Sequence, residues 1–170
     1  MANTTLFAWC KSLRNAPAKW QRRSRTERRL LLEAVLLLGV ARLLVLTIPF
    51  RWLAGSLGRH MDESDLKANP AHIQQARLIG QAVRSAANNT PWQSVCLPQA
   101  VAAQWMLKRR RIAATLYLGV AKDLTKPQQL AAHAWLRCGD IILTGGPSHK
   151  DFAVLSTFST ATSISHRSNR

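Results

Sequence analysis

The order of patterns along this 170-residue chain predicts an α+β fold, with N-terminal helices followed by a small antiparallel sheet. Apolar residues recur at helical spacing up to about Arg110, whereas alternating residues and tight turns dominate from Ala113 onward. Hydrophobic residues make up 47% of the sequence and charged residues 19%, which is typical of a globular protein and excludes a disordered chain. We expect one domain over residues 26–158, between a basic flexible tail (1–25) and a frayed C-terminal segment (159–170).

The first predicted helix is a strongly apolar run over residues 26–50, which Thr26 can cap and Pro49 ends. The run is nearly long enough to span a bilayer, but Glu33 and Arg42 interrupt it. An arginine near the middle of a span costs about 2.5–3.5 kcal/mol. A buried helix of the fold is the first interpretation, and a transmembrane span or a surface-lying helix are the alternatives. Membrane contact between Leu30 and Ile48 therefore stays open.

Three more segments complete the helical part. Residues 50–58 continue as a short amphipathic piece, and residues 61–69 form a polar linker. Apolar positions recur every three or four residues over 71–87, which predicts a helix that ends at Asn88-Asn89-Thr90-Pro91. A further helix is expected over residues 96–110.

The predicted sheet begins with an alternating strand over residues 113–122, followed by a loop over 123–129. A β-hairpin with arms at 133–137 and 140–144 comes next. A last strand is expected over 152–158, after a turn rich in glycine.

The hairpin decides which residues share a face. Side chains alternate along a strand, so His133, Trp135 and Arg137 point to one face and Cys138 to the other. Cys138 is therefore expected to be a packing residue. With the turn at positions 138 and 139, Asp140 pairs with Arg137 and lies about 13 Å from His133 at ~3.3 Å per residue, which is too far to orient it.

Cys96 and His133 are the candidate nucleophile and base. Cys96 begins a predicted helix, where the positive end of the helix dipole favours the thiolate. His133 could take the thiol proton and return it to a leaving amine. The alternative is an ordinary buried cysteine. A base usually needs a third group, but the strand end opposite His133 offers Thr144 and two glycines, and nothing requires Asp151 to return there, so that position stays unresolved.

Two residues just before the nucleophile, Trp92 and Gln93, could donate an N–H to an oxyanion, although Trp92 is also explained as a packing residue. The three cysteines, Cys10, Cys96 and Cys138, are too few and too scattered for a disulfide framework. No residues show the spacing of a metal site, and no cofactor is implied.

The formal net charge of +16 favours acidic partners such as nucleic acid, an anionic membrane surface or an acidic peptide. Much of it lies before Leu30, where Glu27 is the one acid. The cations of that stretch are Lys11, Arg14, Lys19, Arg22, Arg23, Arg25, Arg28 and Arg29. The few cysteines and the lack of a secretory pattern in residues 1–9 indicate a cytoplasmic protein, with membrane association left open.

Three pieces of sequence resemble the B2 protein of lasso peptide biosynthesis, a transglutaminase-like cysteine peptidase. They are Glu27-Arg28-Arg29-Leu30-Leu31-Leu32-Glu33-Ala34, Cys96-Leu97-Pro98-Gln99-Ala100 and His133-Ala134-Trp135-Leu136. The stretch from Arg111 to Val120 is also similar, where the family reads Arg-Gly-Ile-Pro-Ala before a strand. The resemblance covers about residues 26–158.

The resemblance implies a transglutaminase-like or papain-like core whose nucleophile helix packs on the sheet. It implies an enzyme that removes the leader from a ribosomally made precursor peptide, with Cys96 as nucleophile, His133 as base and water hydrolysing the acyl-enzyme. A separate ATP-dependent lasso cyclase then joins the freed amine to a side-chain carboxylate. The family triad ends in an aspartate on the next strand, but the matching place here reads Thr144-Gly145-Gly146, so that role is not transferred.

Some members of that family carry a leader-recognition module at the N-terminus. The roughly 25 residues before the apolar helix are too few for such a module, so we expect a separate leader-recognition protein. A thiol-dependent acyl transferase, of transglutaminase or acetyltransferase type, is the alternative enzyme. The non-enzymatic alternative is a membrane- or nucleic-acid-associated binding protein, but basic and aromatic residues are not interleaved on one strand face, so nucleic acid is not expected as a partner.

Overall fold

The computed structural model describes residues 23–90, 95–122 and 129–160. Within these ranges the helices are α1 (Arg25–Thr47), α2 (Phe50–Leu57), α3 (Pro70–Asn89) and α4 (Cys96–Arg109). The strands are β1 (Arg59–His60), β2 (Thr115–Lys122), β3 (Leu130–Cys138), β4 (Ile141–Thr144) and β5 (Ala153–Ser159), with a 3-10 turn at Pro147–Asp151. Three helices and a short fourth precede the main strands, as the predicted α+β order requires.

The described strands form one antiparallel sheet in the order β1-β5-β2-β3-β4. The centre of the sheet is β2, which pairs with β3 along its whole length and with β5 on its other edge. Strand β5 ends at Ser159, and the Thr160 N–H donates to the Ala114 carbonyl at 3.0 Å. Residues 161–170 lie outside the described residues, as do residues 1–22 of the predicted tail.

The central helix of the fold is α4, which packs against α1 and α3 on one side and against the sheet on the other. A helix that is apolar all round is expected to be buried all round. Its buried residues include three alanines that allow close approach of its neighbours: Pro98, Ala100, Val101, Ala102, Ala103, Gln104, Met106 and Leu107. The Gln104 amide also donates to the Leu57 and Phe158 carbonyls, at 2.9 and 3.0 Å, and so connects α4 with α2 and β5.

The long apolar helix α1 has two different faces. One face is a row of core residues, Leu30, Ala34, Leu38 and Ala41, that packs against α3 and α4. By length and composition α1 is the one helix among the described residues that could cross a membrane, and 22% of its most apolar window is buried. The interpretation as a buried helix of the fold describes the row of core residues, whereas the outer half of α1 is exposed.

Polar side chains fix the start of α1 and join the helix to α4. The predicted cap at Thr26 is wrong, because Ser24 accepts from the Glu27 N–H at 3.2 Å while the Glu27 carboxylate accepts from the Ser24 N–H at 2.8 Å. Further along, the Glu33 carboxylate forms a two-pronged ion pair with Arg110, at 3.1 and 2.6 Å. This pair joins α1 to the C-terminal end of α4.

The β3–β4 turn lies one residue later than predicted. Cys138 pairs with Ile141, so Gly139 and Asp140 form the turn, and Gly139 adopts φ +57. The predicted pairing of Asp140 with Arg137 is therefore wrong. A register shift also places Thr144 opposite Leu136 and not opposite His133.

Candidate active site

Cys96 is the first residue of α4, and it packs partly buried against the helical side of the core. The helix begins here because Val95 is extended, with ψ 178, and Pro98 is tolerated in a first turn where its missing N–H has no partner to lose. Val95 carries no side-chain acceptor, so among the described residues no side chain caps the first amides of α4. The thiol thus lies at the positive end of a helix.

His133 lies on β3, half buried between aromatic rings. Its ring centroid is 4.9 Å from that of Phe152 and 5.9 Å from that of Trp135. Trp135 in turn stacks on Tyr117 with the two rings parallel and 5.4 Å apart. This aromatic layer covers the face of the sheet that is turned away from α4, and it restricts the positions that the imidazole can adopt.

The hydrogen bond that His133 makes is with a backbone carbonyl. Its Nε2 lies 2.8 Å from the Gly145 oxygen, which follows β4 directly. A carbonyl can only accept, so Nε2 carries the proton and the neutral ring keeps Nδ1 as its unprotonated nitrogen. Gly145 therefore takes the orienting place that a triad usually gives to a carboxylate.

Gly145 is required for this contact. Its φ is +93, a left-handed backbone conformation that side chains disfavour. A Cβ at this position would lie 2.4 Å from the Trp135 Cβ and 2.9 Å from the Ala134 oxygen. The next residue, Gly146, also has a positive φ, but a Cβ there would meet nothing within 4 Å.

The two candidate catalytic residues come from packed neighbours but are not hydrogen-bonded to each other in the described ranges. Cys96 belongs to the α4 side of the core, whereas the alternation of β3 puts His133 on the opposite face from Ala134 and Leu136, which pack under α4. Across the described ranges, the hydrogen bond of His133 goes to Gly145 and not to the Cys96 thiol. Cys96 and His133 thus lie on two elements that pack against each other, α4 and β3, but no thiol–imidazole hydrogen bond forms among the described residues.

A polar cluster closes the far end of the aromatic layer. Arg137 donates to the Tyr117 oxygen at 2.8 Å and to the Glu63 carboxylate at 3.1 Å, and Tyr117 donates to that carboxylate at 2.7 Å. Burial raises the pKa of Tyr117, and its hydrogen bond to Glu63 acts in the same direction. Sequence reasoning missed Glu63, which lies in the polar linker and carries no local motif.

Among the described residues, three others singled out in the sequence form no hydrogen bond with His133: Asp140, Asp151 and Cys138. Asp140 and Asp151 are exposed. Cys138 is buried in the core, and that burial raises the pKa of its thiol, which agrees with the predicted packing role. Trp92 and Gln93 lie outside the described residues. Within the described ranges no group of three or more His, Cys, Asp or Glu residues could hold a metal ion.

Comparison with known proteins gives one match. The family model for the transglutaminase-like superfamily matches residues 44–157, about two thirds of the chain. This range includes α4 and the whole of β2, β3 and β4. Comparisons with curated proteins and with solved structures found no match.

Proposed function

Since the chain belongs to the transglutaminase-like superfamily, whose members are typically cysteine-dependent peptidases or acyl transferases, we propose that it is a leader peptidase. Its substrate is the ribosomally made precursor of a lasso peptide. The observation that carries the proposal is the position of Cys96 at the uncapped start of α4, with His133 on the adjacent strand β3. The resemblance of the segments around Cys96, His133 and the start of α1 to the lasso B2 proteins supports the choice of substrate.

The proposed reaction has two steps. The Cys96 thiolate attacks the carbonyl carbon at the leader–core junction, and the scissile C–N bond breaks as His133 gives its proton to the departing core amine. His133 then accepts a proton from water, and the resulting hydroxide attacks the thioester and releases the leader with a new carboxylate. In this proposal the Cys96 backbone N–H, at the start of α4, stabilises the oxyanion.

The proposed chemistry requires a hydrogen bond between Cys96 and His133 to form in the substrate complex, since none joins the two side chains among the described residues. Catalytic hydrogen bonds in free enzymes are often long, and they tighten when the substrate binds. The Gly145 carbonyl holds the Nε2–H side of the ring, so Nδ1 is the nitrogen that exchanges protons with the thiol. We propose that substrate binding brings Nδ1 to Cys96.

Two partners belong to the proposal. A separate leader-recognition protein presents the precursor, and an ATP-dependent lasso cyclase consumes the core amine that cleavage frees. The strong positive charge of the chain suits a partner or leader of acidic character.

The test is mass spectrometry of the precursor peptide encoded beside this chain, incubated with its leader-binding partner and the enzyme. We expect wild type to cut one bond with the gain of one water, Cys96→Ala to leave the precursor intact, and Cys138→Ala to cut normally. Cys138→Ala is the matched control because it removes a buried thiol. Equal cleavage by wild type and Cys96→Ala would refute the assignment, and no cleavage by wild type even with the cyclase present would refute the function.

The superfamily gives one alternative, transfer of the acyl group from Cys96 to an amine. The same experiment separates the two reactions, because transfer joins the acyl fragment to the added amine and no water is gained. A wild-type product whose mass equals acyl fragment plus amine would favour the transferase.

A further inference from the structure

The outer face of α1 carries a row of exposed leucines. Leu32, Leu36 and Leu43 are 59%, 66% and 60% exposed. At 100° per residue they fall within about 40° of one another, on the side of the helix opposite the buried row that begins at Leu30. We call Leu32, Leu36 and Leu43, with Arg25 at their N-terminal end, the outer stripe.

The exposed apolar surface extends beyond the three leucines of the outer stripe. Leu46 is 71% exposed at its C-terminal end, and Trp52, which follows on α2, is 68% exposed. Single exposed apolar side chains are ordinary, but a continuous row of them marks a surface that contacts something apolar. The core cannot be that partner, because the opposite face of α1 already packs against α3 and α4.

The charges around the outer stripe have one sign. Arg25 lies in line with the leucines, Arg29 lies beside them, and Arg51 is exposed next to Trp52. The two acids of α1 are engaged elsewhere: Glu27 in the cap with Ser24, and Glu33 with Arg110. An apolar stripe bordered by arginines on a chain of net charge +16 is complementary to a layer that is apolar inside and anionic at its surface.

We propose that the outer stripe docks this protein onto the surface of an anionic lipid bilayer. The helix lies in the plane of the interface, with its leucines below the headgroups, its arginines on the lipid phosphates and Trp52 at the boundary. It does not span the bilayer, because its other face stays in the protein core. The proposal goes beyond the peptidase function and does not depend on it.

The test is co-sedimentation of the full chain with phosphatidylglycerol-containing vesicles and with pure phosphatidylcholine vesicles. The test variant replaces Leu36 and Leu43 by glutamine. The matched control replaces Met61 and Leu66 by glutamine as well. These two side chains are 68% and 66% exposed and lie away from the stripe. Because all four side chains are exposed, both variants should melt at the wild-type temperature.

We expect wild type and the control variant to pellet with the anionic vesicles only, and the stripe variant to partition at least about tenfold more weakly. Three outcomes would overturn the proposal. They are no wild-type pelleting with anionic vesicles, undiminished pelleting of the stripe variant, or a wild-type dimer in sedimentation velocity that the stripe variant loses while neither binds vesicles. The second outcome would assign lipid binding to charge alone, and the third would make the stripe an interface between two copies.

Discussion

Gly145 supplies a main-chain oxygen to His133 where a triad usually supplies a carboxylate. A neutral carbonyl fixes the tautomer and the orientation of the ring, but it gives less stabilisation to the imidazolium than a negative charge does. In the proposed reaction, the stabilisation of negative charge therefore depends more on the backbone N–H groups at the start of α4.

The tautomer of His133 can be observed directly. Nitrogen-15 NMR of the imidazoles should show His133 with its proton on Nε2, since that atom donates to Gly145 at 2.8 Å. His149 is the internal control, because its Nδ1 lies 2.8 Å from the Gly146 oxygen and should carry the proton instead. Finding His133 protonated on Nδ1 would contradict the proposed orientation.

Gly145→Ala should reduce precursor cleavage at least tenfold, because the new Cβ would collide with Trp135 and displace the carbonyl from His133. Gly146→Ala is the matched control: it shares the cost of a positive φ but meets no atom within 4 Å. The measurement is the cleavage rate of each variant, and an unfolding curve for each checks that the variant is folded. Equal activity in both variants would mean that the Gly145 carbonyl does not position the base.

At the scale of elements, the start of α1 is set by two polar side chains. The N-terminus of α1 depends on the reciprocal bonds between Ser24 and Glu27. Ser24→Ala should therefore lower the free energy of unfolding by about 1 kcal/mol, measured by urea denaturation. Thr26→Ala, two residues later, lies inside the helix and should be nearly neutral. A larger loss for Thr26→Ala than for Ser24→Ala would show that the cap is misplaced.

The elements also show what the sequence could predict. Helical periodicity located α1, α3 and α4 to within a few residues, and alternation assigned the two faces of β3 correctly. The predicted position of the β3–β4 turn was wrong by one residue, because Cys138-Gly139 and Gly139-Asp140 are both acceptable as two-residue turns. The choice between them depends on loop and sheet packing, which the local sequence does not show. The orienting group of His133 could not be predicted, since a backbone carbonyl leaves no side-chain pattern.

At the scale of the whole molecule, Arg137 joins distant parts of the chain on the face of the sheet away from α4. It connects β3 with the linker residues Glu63 and Ser64 and with Tyr117 of β2. Such a cluster stabilises the fold as long as its members keep their charges and protons. Loss of a proton from a member of the cluster should therefore lower the stability of the domain.

Stability should fall at alkaline pH. The pKa of Tyr117 is raised from its ordinary value of 10.0 in the fold, so its contribution is present below that value and is lost as the pH rises through the folded pKa. Tyr117 is the sole tyrosine of the sequence, so phenolate absorbance follows this group alone. Urea denaturation across the alkaline range should show the loss, and Tyr117→Phe should flatten it. A phenolate titration at or below the ordinary value would contradict the prediction.

The measurement that tests the central claim most directly is the rate of alkylation of each cysteine, followed by peptide mass spectrometry in wild type and in His133→Gln. We expect Cys96 to react at least tenfold faster than Cys10 and the buried Cys138 to react slowest. With the precursor and its leader-binding partner present, which the account requires for His133 to reach the thiol, His133→Gln should slow Cys96 alone. If Cys96 reacts no faster than Cys10, or if His133→Gln leaves its rate unchanged, the thiol and the imidazole do not act together and the chain is not the enzyme proposed.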